Sequence, residues 1–173
     1  WLVVVALCFV VFALMRQIGV LHERVFPAGA LMTNRGPQPG DPSPIDHLVA
    51  FDDSQITLGD GLKSTLLLFV SPACPVCKTL LPIVKSVARS EASYHPLQVV
   101  LASDGDTADD RRQHLEFITA HQIDKSRYVL SRRLGLAFVV EKLPFAALID
   151  KAGMIRAKGL VNSREHLESL FEA

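Results

Sequence analysis

The feature of this 173-residue chain that most limits its fold is a pair of cysteines placed directly after an apolar run. The run, Thr65–Val70, is continuous and rich in leucine, as is typical of a central β-strand buried on both faces. Cys74 and Cys77 follow it, at the start of a helical pattern of apolar residues. A C-x-x-C at such a junction places its first sulfur at a helix N-terminus, where unpaired N–H groups and the helix dipole favour a thiolate.

This placement predicts different roles for the two cysteines. Cys74 is predicted to be the attacking thiolate, and Cys77, within the first helical turn, to resolve a mixed disulfide by attacking Cys74. Pro75 suits the first helical position because its missing N–H costs little there, and Val76 is predicted to keep a donor available to Cys74. The dithiol would then be the redox centre, with no metal and no other cofactor.

Other uses of two cysteines are weighed by their spacing. A zinc site needs two further ligands, and the third cysteine, Cys8, lies in an apolar N-terminal segment. Haem attachment needs a histidine after the second cysteine, where Lys78 stands. A structural pair without a redox role remains open. The histidines and the acidic clusters are predicted to be solvated charges rather than metal ligands: His22, His47, His95, His114, His121 and His166, with Asp52, Asp53 and residues 104–110.

From residue 45 onward, alternating strand and helix patterns predict an α/β domain with a mostly parallel sheet. The predicted order is strand, helix, strand, helix, hairpin, helix. The segments are Thr65–Val70, a helix from Pro75 to about Arg89 kinked at Pro82, Leu97–Ala102, a helix from Asp109 to about His121, a hairpin of Phe145–Ile149 and Met154–Ala157, and a final helix. Thr107 and Asn162 are the predicted N-caps of the last two helices, and Leu115 and Ile118 are predicted to face inward.

The first 15 residues, Trp1–Met15, contain no charged or polar side chain, no glycine and no proline. A helix of this length is shorter than the ~30 Å hydrocarbon core of a membrane, but the apolar stretch can continue to Leu21. We therefore predict a membrane anchor over residues 1–21, longer in the complete protein and contacting lipid. A signal peptide and a buried core helix are the alternatives, and no small-residue cleavage site follows Met15.

Four prolines within eight residues, Pro37, Pro39, Pro42 and Pro44, separate this segment from the domain. Such a sequence forms neither a helix nor a central strand. Residues 22–44 are therefore predicted to be a juxtamembrane segment and a semi-rigid spacer, which holds a domain of residues 45–173 off the membrane. Lys and Arg together number 18, as do Asp and Glu, and this balance argues against a nucleic-acid-binding protein.

The motifs taken together resemble the thioredoxin family. They are the Cys74-Pro75-Val76-Cys77 motif, Pro82 five residues after it, Pro144 at the start of an apolar strand, and the closing hairpin and helix. The resemblance covers residues 45–173 and implies a central mixed sheet flanked by helices. It also implies that Pro144 is cis and lies against the disulfide, leaving the Leu143 backbone free to pair with a substrate strand. The substrate-binding residues it implies are Pro75, Val76, Leu143 and Pro144.

A narrower resemblance, to the MauD family of methylamine utilisation proteins, covers nearly the whole chain. It is carried by Leu14–Arg24, Pro27–Leu31, Ser71–Pro82 and Lys158–Asn162. It implies a single-pass bacterial inner-membrane protein whose thioredoxin-like domain lies in the periplasm. The implied client is the disulfide-rich small (beta) subunit of methylamine dehydrogenase, whose maturation needs this family. The electron partner and the direction of the redox reaction stay open.

The sequence departs from thioredoxin at two positions beside the motif. Ala73 stands where tryptophan usually precedes the first cysteine, and Leu68 replaces a buried acid six residues before that cysteine. Because this acid helps to remove the proton of the resolving thiol, Cys77 is expected to resolve slowly, which suits disulfide formation or isomerisation. The alternative functions are a chaperone that binds the same subunit without redox turnover, and a general thiol reductase for cytochrome c maturation.

Overall fold

The computed structural model describes residues 35–105 and 107–172, together with Trp1, Val4, Leu7, Val11 and Phe12. Apart from those five residues, the predicted anchor lies outside the described part of the chain, as do residues 22–34 of the predicted spacer. No helix within the described residues is both long enough and apolar enough to cross a membrane.

Short strands and helices alternate along the described domain. In chain order they are β1 (His47–Val49), β2 (Gln55–Thr57), β3 (Ser64–Phe69), α1 (Pro75–Glu91), β4 (Leu97–Ser103), α2 (Ala108–Ala120), a 3-10 turn (Lys125–Arg127), β5 (Tyr128–Leu130), α3 (Arg132–Ala137), β6 (Phe145–Ile149), β7 (Ile155–Leu160) and α4 (Arg164–Glu168). The strands and helices predicted from the hydrophobic pattern are all present, within a few residues of their predicted ends. The α/β prediction is therefore confirmed.

Five strands form a central sheet in the order β5-β4-β3-β6-β7. Strands β3, β4 and β5 are parallel, whereas β6 and β7 run antiparallel to their neighbours. The sheet is therefore mixed, as the thioredoxin resemblance implies. The mostly parallel sheet predicted from the alternating pattern is wrong, because β6 and β7 join the sheet as an antiparallel hairpin. The register places Leu68 beside Leu101 and Leu101 beside Tyr128, so these three residues form one row across the sheet.

The central strand β3 is buried on both faces, as its continuous apolar run predicts. Leu66 and Leu68 belong to a core cluster with the buried face of α1, and Leu67 and Phe69 to a second cluster on the opposite face. Helix α1 continues through Pro82, which is exposed, and a kink there stays a prediction. Packing of the buried face of α1 against β3 fixes the start of the helix, where the cysteines lie, between the sheet and solvent.

Helix α2 begins as predicted but buries a different face. Thr107 is its N-cap, and its hydroxyl accepts from the backbone of Asp110, whose side chain bonds back to Thr107. The inward position predicted for Leu115 is wrong, because its side chain is 39% exposed, while Ile118 is buried as predicted. The buried residues are His114, Phe117 and Ile118, which share one side of the helix at i, i+3 and i+4.

The C-terminal hairpin is confirmed, with one correction in the helix that follows it. Gly153, in the turn between β6 and β7, has a φ of 82°, which a side chain would oppose. The N-cap of α4 is Ser163, whose hydroxyl accepts from the His166 amide, so the prediction of Asn162 is wrong by one residue. Both are capping residue types, and only the backbone decides between them.

The proline-rich segment lies against the domain, where the sequence predicts a spacer outside it. The Gly40 amide donates to the Ile155 carbonyl over 2.8 Å, and the Ile155 amide to the Asp41 carbonyl over 2.9 Å. The buried Lys158 of β7 donates from Nζ to the Arg35 carbonyl over 2.5 Å. The two bonds of Ile155 pair backbone groups on the outer edge of the sheet that would otherwise lie open. Residues 35–43 therefore form part of the folded unit.

Candidate active site

Cys74 is the N-cap of α1, and its sulfur accepts a hydrogen bond from the Cys77 amide over 3.2 Å. The backbone of Cys74 is extended, and its own amide donates to the Ser71 carbonyl over 3.0 Å. The sulfur is therefore at the helix N-terminus, as predicted, and accepts from a backbone donor there. The donor is the Cys77 amide, one residue beyond the predicted Val76 amide.

The second cysteine lies in a different environment. Cys77 is fully buried among the apolar residues between α1 and the sheet, whereas Cys74 is half-buried. Burial, together with the hydrogen bond to Cys74, raises the pKa of the Cys77 thiol to about 12. Both thiols are free. At neutral pH the buried sulfur therefore keeps its proton. The division of roles between the attacking Cys74 and the resolving Cys77 stays a prediction.

The peptide between Leu143 and Pro144 is cis, as the resemblance implies. Phe145, the next residue, pairs with Phe69 at the end of β3, so this bend lies next to the loop that leads to Cys74. Pro144 is buried and its carbonyl accepts from the Val161 amide over 3.0 Å. Within the described residues, the Leu143 backbone makes no hydrogen bond to another backbone group. It remains available to an added strand.

A cleft of about 300 Å³ opens beside this bend, at the carboxyl ends of β3 and β4. Its lining includes Phe69, Ser103, Asp104, Leu136 and Leu143. Several apolar side chains are exposed around the cleft and the cysteines: Val76 (42%), Leu136 (67%), Val139 (40%) and Leu143 (40%). Exposed apolar surface beside an unpaired backbone is what an extended peptide segment needs in order to bind.

The sequence predicts that the histidines lie in solvent, but not all of the described histidines do. His47 and His95 are exposed and His121 is half-buried, but His114 and His166 are buried, so the prediction is wrong for these two. His22 lies outside the described residues. The His114 ring bonds through Nδ1 to the Tyr128 hydroxyl over 2.6 Å. Among the described residues, no group of three His, Cys, Asp or Glu side chains is placed to hold a metal ion.

Burial of His114 should make the stability of the domain depend on pH. Burial lowers the pKa of His114 below its ordinary value of 6.5, because the charged ring loses its solvation. Below pH 6.5 the unfolded chain binds a proton at this position that the folded chain does not yet bind. The free energy of unfolding therefore has its full value above pH 6.5 and decreases as the pH falls through the folded pKa. We expect urea denaturation to show a lower free energy of unfolding at about pH 5.5 than at about pH 7.5.

His95 provides the matched control for this experiment, because its side chain is exposed. A His114→Gln variant should lose part of the difference in free energy between the two pH values, whereas His95→Gln should retain it. If His114→Gln and His95→Gln showed the same dependence on pH, His114 would not be the group responsible.

The fold and the C-x-x-C loop place the chain in the thioredoxin-like class. A putative thiol:disulfide interchange protein DsbE from Chlorobium tepidum matches 79% of this chain and 97% of its own, with a TM-score of 0.65 and 17% identity. The exposed lipoprotein thioredoxin of Streptococcus pneumoniae matches 73% and 98%, with a TM-score of 0.57 and 20% identity. Likenesses at such identities concern the fold alone.

Sequence comparison identifies the family within that class. The methylamine utilization protein MauD of Paracoccus denitrificans is 44% identical over 100% of this chain and 84% of its own length. MauD of Methylorubrum extorquens is 43% identical over 100% of this chain and 82% of its own. No protein-family model matches the sequence. The chain belongs to the MauD family, which confirms the narrower resemblance.

Proposed function

We propose that this protein is a membrane-anchored thiol:disulfide oxidoreductase that acts in maturation of the small (beta) subunit of methylamine dehydrogenase. The observation that carries the redox part is the pair of free thiols at the start of α1, one capping the helix and one buried behind it. The Leu143 backbone supports a polypeptide substrate, because it makes no hydrogen bond to another described backbone group and lies next to the loop that leads to those thiols.

The arrangement supports thiol-disulfide exchange in two steps. In the reducing direction, the Cys74 thiolate attacks a client disulfide, forms a mixed disulfide and releases one client thiolate, which takes up a proton. Cys77 then loses its proton and attacks Cys74, releasing the second client sulfur and leaving the Cys74–Cys77 disulfide. The oxidising direction is the reverse, and isomerisation uses the first step and its reversal with a different client sulfur.

The choice of client and compartment rests on the family. The relatives are named for methylamine utilization, and the resemblance stated above adds the dehydrogenase subunit as their client. We place the domain in the periplasm, anchored to the bacterial inner membrane by residues 1–21, because an oxidising compartment suits an exported dithiol protein. An electron partner in the membrane or the periplasm would reset the dithiol after each turnover.

A trapping experiment tests this proposal. In methylamine-grown cells that express the full chain with Cys77→Ser, the mixed disulfide with Cys74 cannot be resolved internally and should accumulate. Acid quenching followed by mass spectrometry should identify one major adduct, the dehydrogenase small subunit. The matched control is the Cys74→Ser, Cys77→Ser double variant, which should give no adduct. Adducts with many unrelated proteins would instead indicate a general reductase.

The exposed apolar surface around Leu143 also suits a chaperone that binds the subunit without redox turnover. The double variant separates the two functions, because it removes both sulfurs and leaves that surface in place. A redox catalyst predicts that the double variant forms no active dehydrogenase. Normal maturation with the double variant, and no adduct with Cys77→Ser, would establish the chaperone and contradict the oxidoreductase.

A further inference from the structure

The bend that leads from α3 to the cis peptide contains one residue in an unfavourable backbone conformation. Val139, just after α3, has a φ of 53°, and its amide donates to the Leu136 carbonyl over 3.1 Å. The Val140 amide donates to the Gly135 carbonyl over 3.0 Å, so the helix ends in a Schellman motif. The left-handed position of this motif is usually glycine or asparagine, and a β-branched residue is an outlier there. Contacts from outside the helix must therefore hold Val139 in this conformation.

The segment that lies nearby, residues 35–43, is itself fixed to the outer strand β7, and we call it the strap. The fully buried Lys158 donates from Nζ to the Arg35 carbonyl over 2.5 Å, and the Ile155 amide donates to the Asp41 carbonyl over 2.9 Å. Burial lowers the pKa of Lys158, and the negative charge of Asp41 opposes this shift. Because a buried ammonium group is costly without partners, Lys158 favours the bound position of the strap.

The strap contacts the bend on both sides of Val139. A Cβ on Gly36 would lie 2.6 Å from the Phe138 carbonyl oxygen and 3.2 Å from the Cβ of Val139. No residue with a side chain fits at such distances, and the φ of Gly36, 72°, also favours glycine. Arg35, the preceding residue, forms an ion pair with Glu141, beyond Val139 in the chain. The bend is therefore held between α3 and a segment fixed to the sheet.

This bend is part of the candidate active site. Val140, Glu141 and Leu143 line the cleft of about 300 Å³ at the carboxyl ends of β3 and β4. Leu143 is the residue whose backbone is predicted to pair with a client strand. The chain between α3 and the buried Pro144 is short, so a change of φ at Val139 would redirect all the residues up to Leu143. The strap thus controls the shape of the surface that a peptide would meet.

We propose that Arg35 and Gly36 are positioning residues for the polypeptide substrate. They hold the bend Phe138–Glu141 in the conformation in which the Leu143 backbone is available to a client strand. Because the bend is ordered before the client binds, less conformational freedom is lost on binding. The strap acts on binding of an extended peptide and leaves the sulfur chemistry of Cys74 as it is. This inference rests on the proposed exchange activity.

Two disulfides with the same leaving group separate binding from chemistry. One is a small aromatic disulfide, and the other is an extended peptide whose single cysteine is joined to the same aromatic thiol. In the full chain with Cys8→Ser and Cys77→Ser, Cys74 alone attacks, and each attack releases one coloured thiolate. With Gly36→Ala added, we expect the second-order rate constant for the peptide to fall about tenfold, as when about a tenth of the molecules have the competent bend. The constant for the small disulfide should be unchanged.

The matched control is Gly61→Ala. Gly61 also has a positive φ, 78°, but no atom lies within 4 Å of the position that its Cβ would take. This variant has the same backbone cost away from the bend, and should leave the ratio of the two rate constants unchanged. Lys158→Met tests the attachment of the strap to β7, because it keeps a long buried side chain but removes the donor to Arg35. It should lower the ratio, as Gly36→Ala does. All variants are compared below their thermal midpoints.

Val139→Asn distinguishes loss of the bend from a general defect. Asparagine adopts left-handed conformations more readily than valine, so adding Val139→Asn to Gly36→Ala should restore part of the peptide rate constant. The inference is overturned if Gly36→Ala and Gly61→Ala give the same ratio of constants, if Gly36→Ala slows both disulfides equally, or if Val139→Asn restores nothing. Failure of Cys74 to release thiolate from either disulfide, with the strap and the bend unaltered, would instead refute the exchange activity, and this inference with it.

Discussion

Replacing Cys74 by serine should lower the rate at which the protein reduces a model protein disulfide by roughly a thousandfold or more, because the hydroxyl is a far weaker nucleophile than the thiolate. The sulfur that it removes caps α1 and accepts from the Cys77 amide. Serine can accept the same hydrogen bond, so the helix should keep its cap and the domain its stability. The measurement is the initial rate of insulin reduction by the full chain with dithiothreitol as reductant.

Cys8→Ser is the matched control, because it removes the cysteine that lies outside the motif. Its rate should equal that of the unaltered chain, and the thermal midpoints of both variants should agree with it. If Cys74→Ser retained a tenth or more of the rate at full stability, Cys74 would not be the attacking sulfur. The predicted roles of both cysteines would then be wrong.

Replacing Leu68 by aspartate should accelerate the second step of exchange by about tenfold or more. Leu68 is fully buried in the same cluster as Cys77. A carboxyl group there has a raised pKa and can accept the proton of Cys77 close to neutral pH. The measurement uses an aromatic disulfide that releases one coloured thiolate when Cys74 attacks it and a second when Cys77 resolves the mixed disulfide, with the second rate recorded across the pH range. This prediction tests the hypothesis that the missing acid makes Cys77 a slow resolver.

Leu66→Asp is the control for the cost of burying an acid. Leu66 is equally buried and lies on the same face of β3, two residues farther from Cys74 along the strand. Both variants should lower the free energy of unfolding, since each places an unpaired polar group in the core. Only Leu68→Asp should accelerate the release. If it resolved no faster than the parent chain, the hypothesis of a slow resolver would lose its support.

Several strands and helices of the domain are too short for their hydrophobic pattern to be recognised in the sequence. Strands β1, β2 and β5 have three residues each and α3 has six, so none completes the repeats that distinguish a strand from a helix. They form because neighbouring elements supply partners, as β4 does for Tyr128 and its two successors. The predicted inward face of α2 is wrong at Leu115 because the polar residue type of His114 predicts a solvated side chain. In the structure His114 stands three residues before Phe117 on the buried side.

The sequence by itself determined the strand that precedes the cysteines, the helix that follows them and the loop at Pro144, because local apolar runs, prolines and cysteine spacing limit the backbone directly. The tertiary structure decided what surrounds them. It buried Cys77 beneath Cys74, brought Tyr128 from β5 and His114 from α2 together in the core, and paired residues 40–43 with the hairpin. These contacts join segments far apart in the chain, and their energies depend on desolvation and register that no local pattern records.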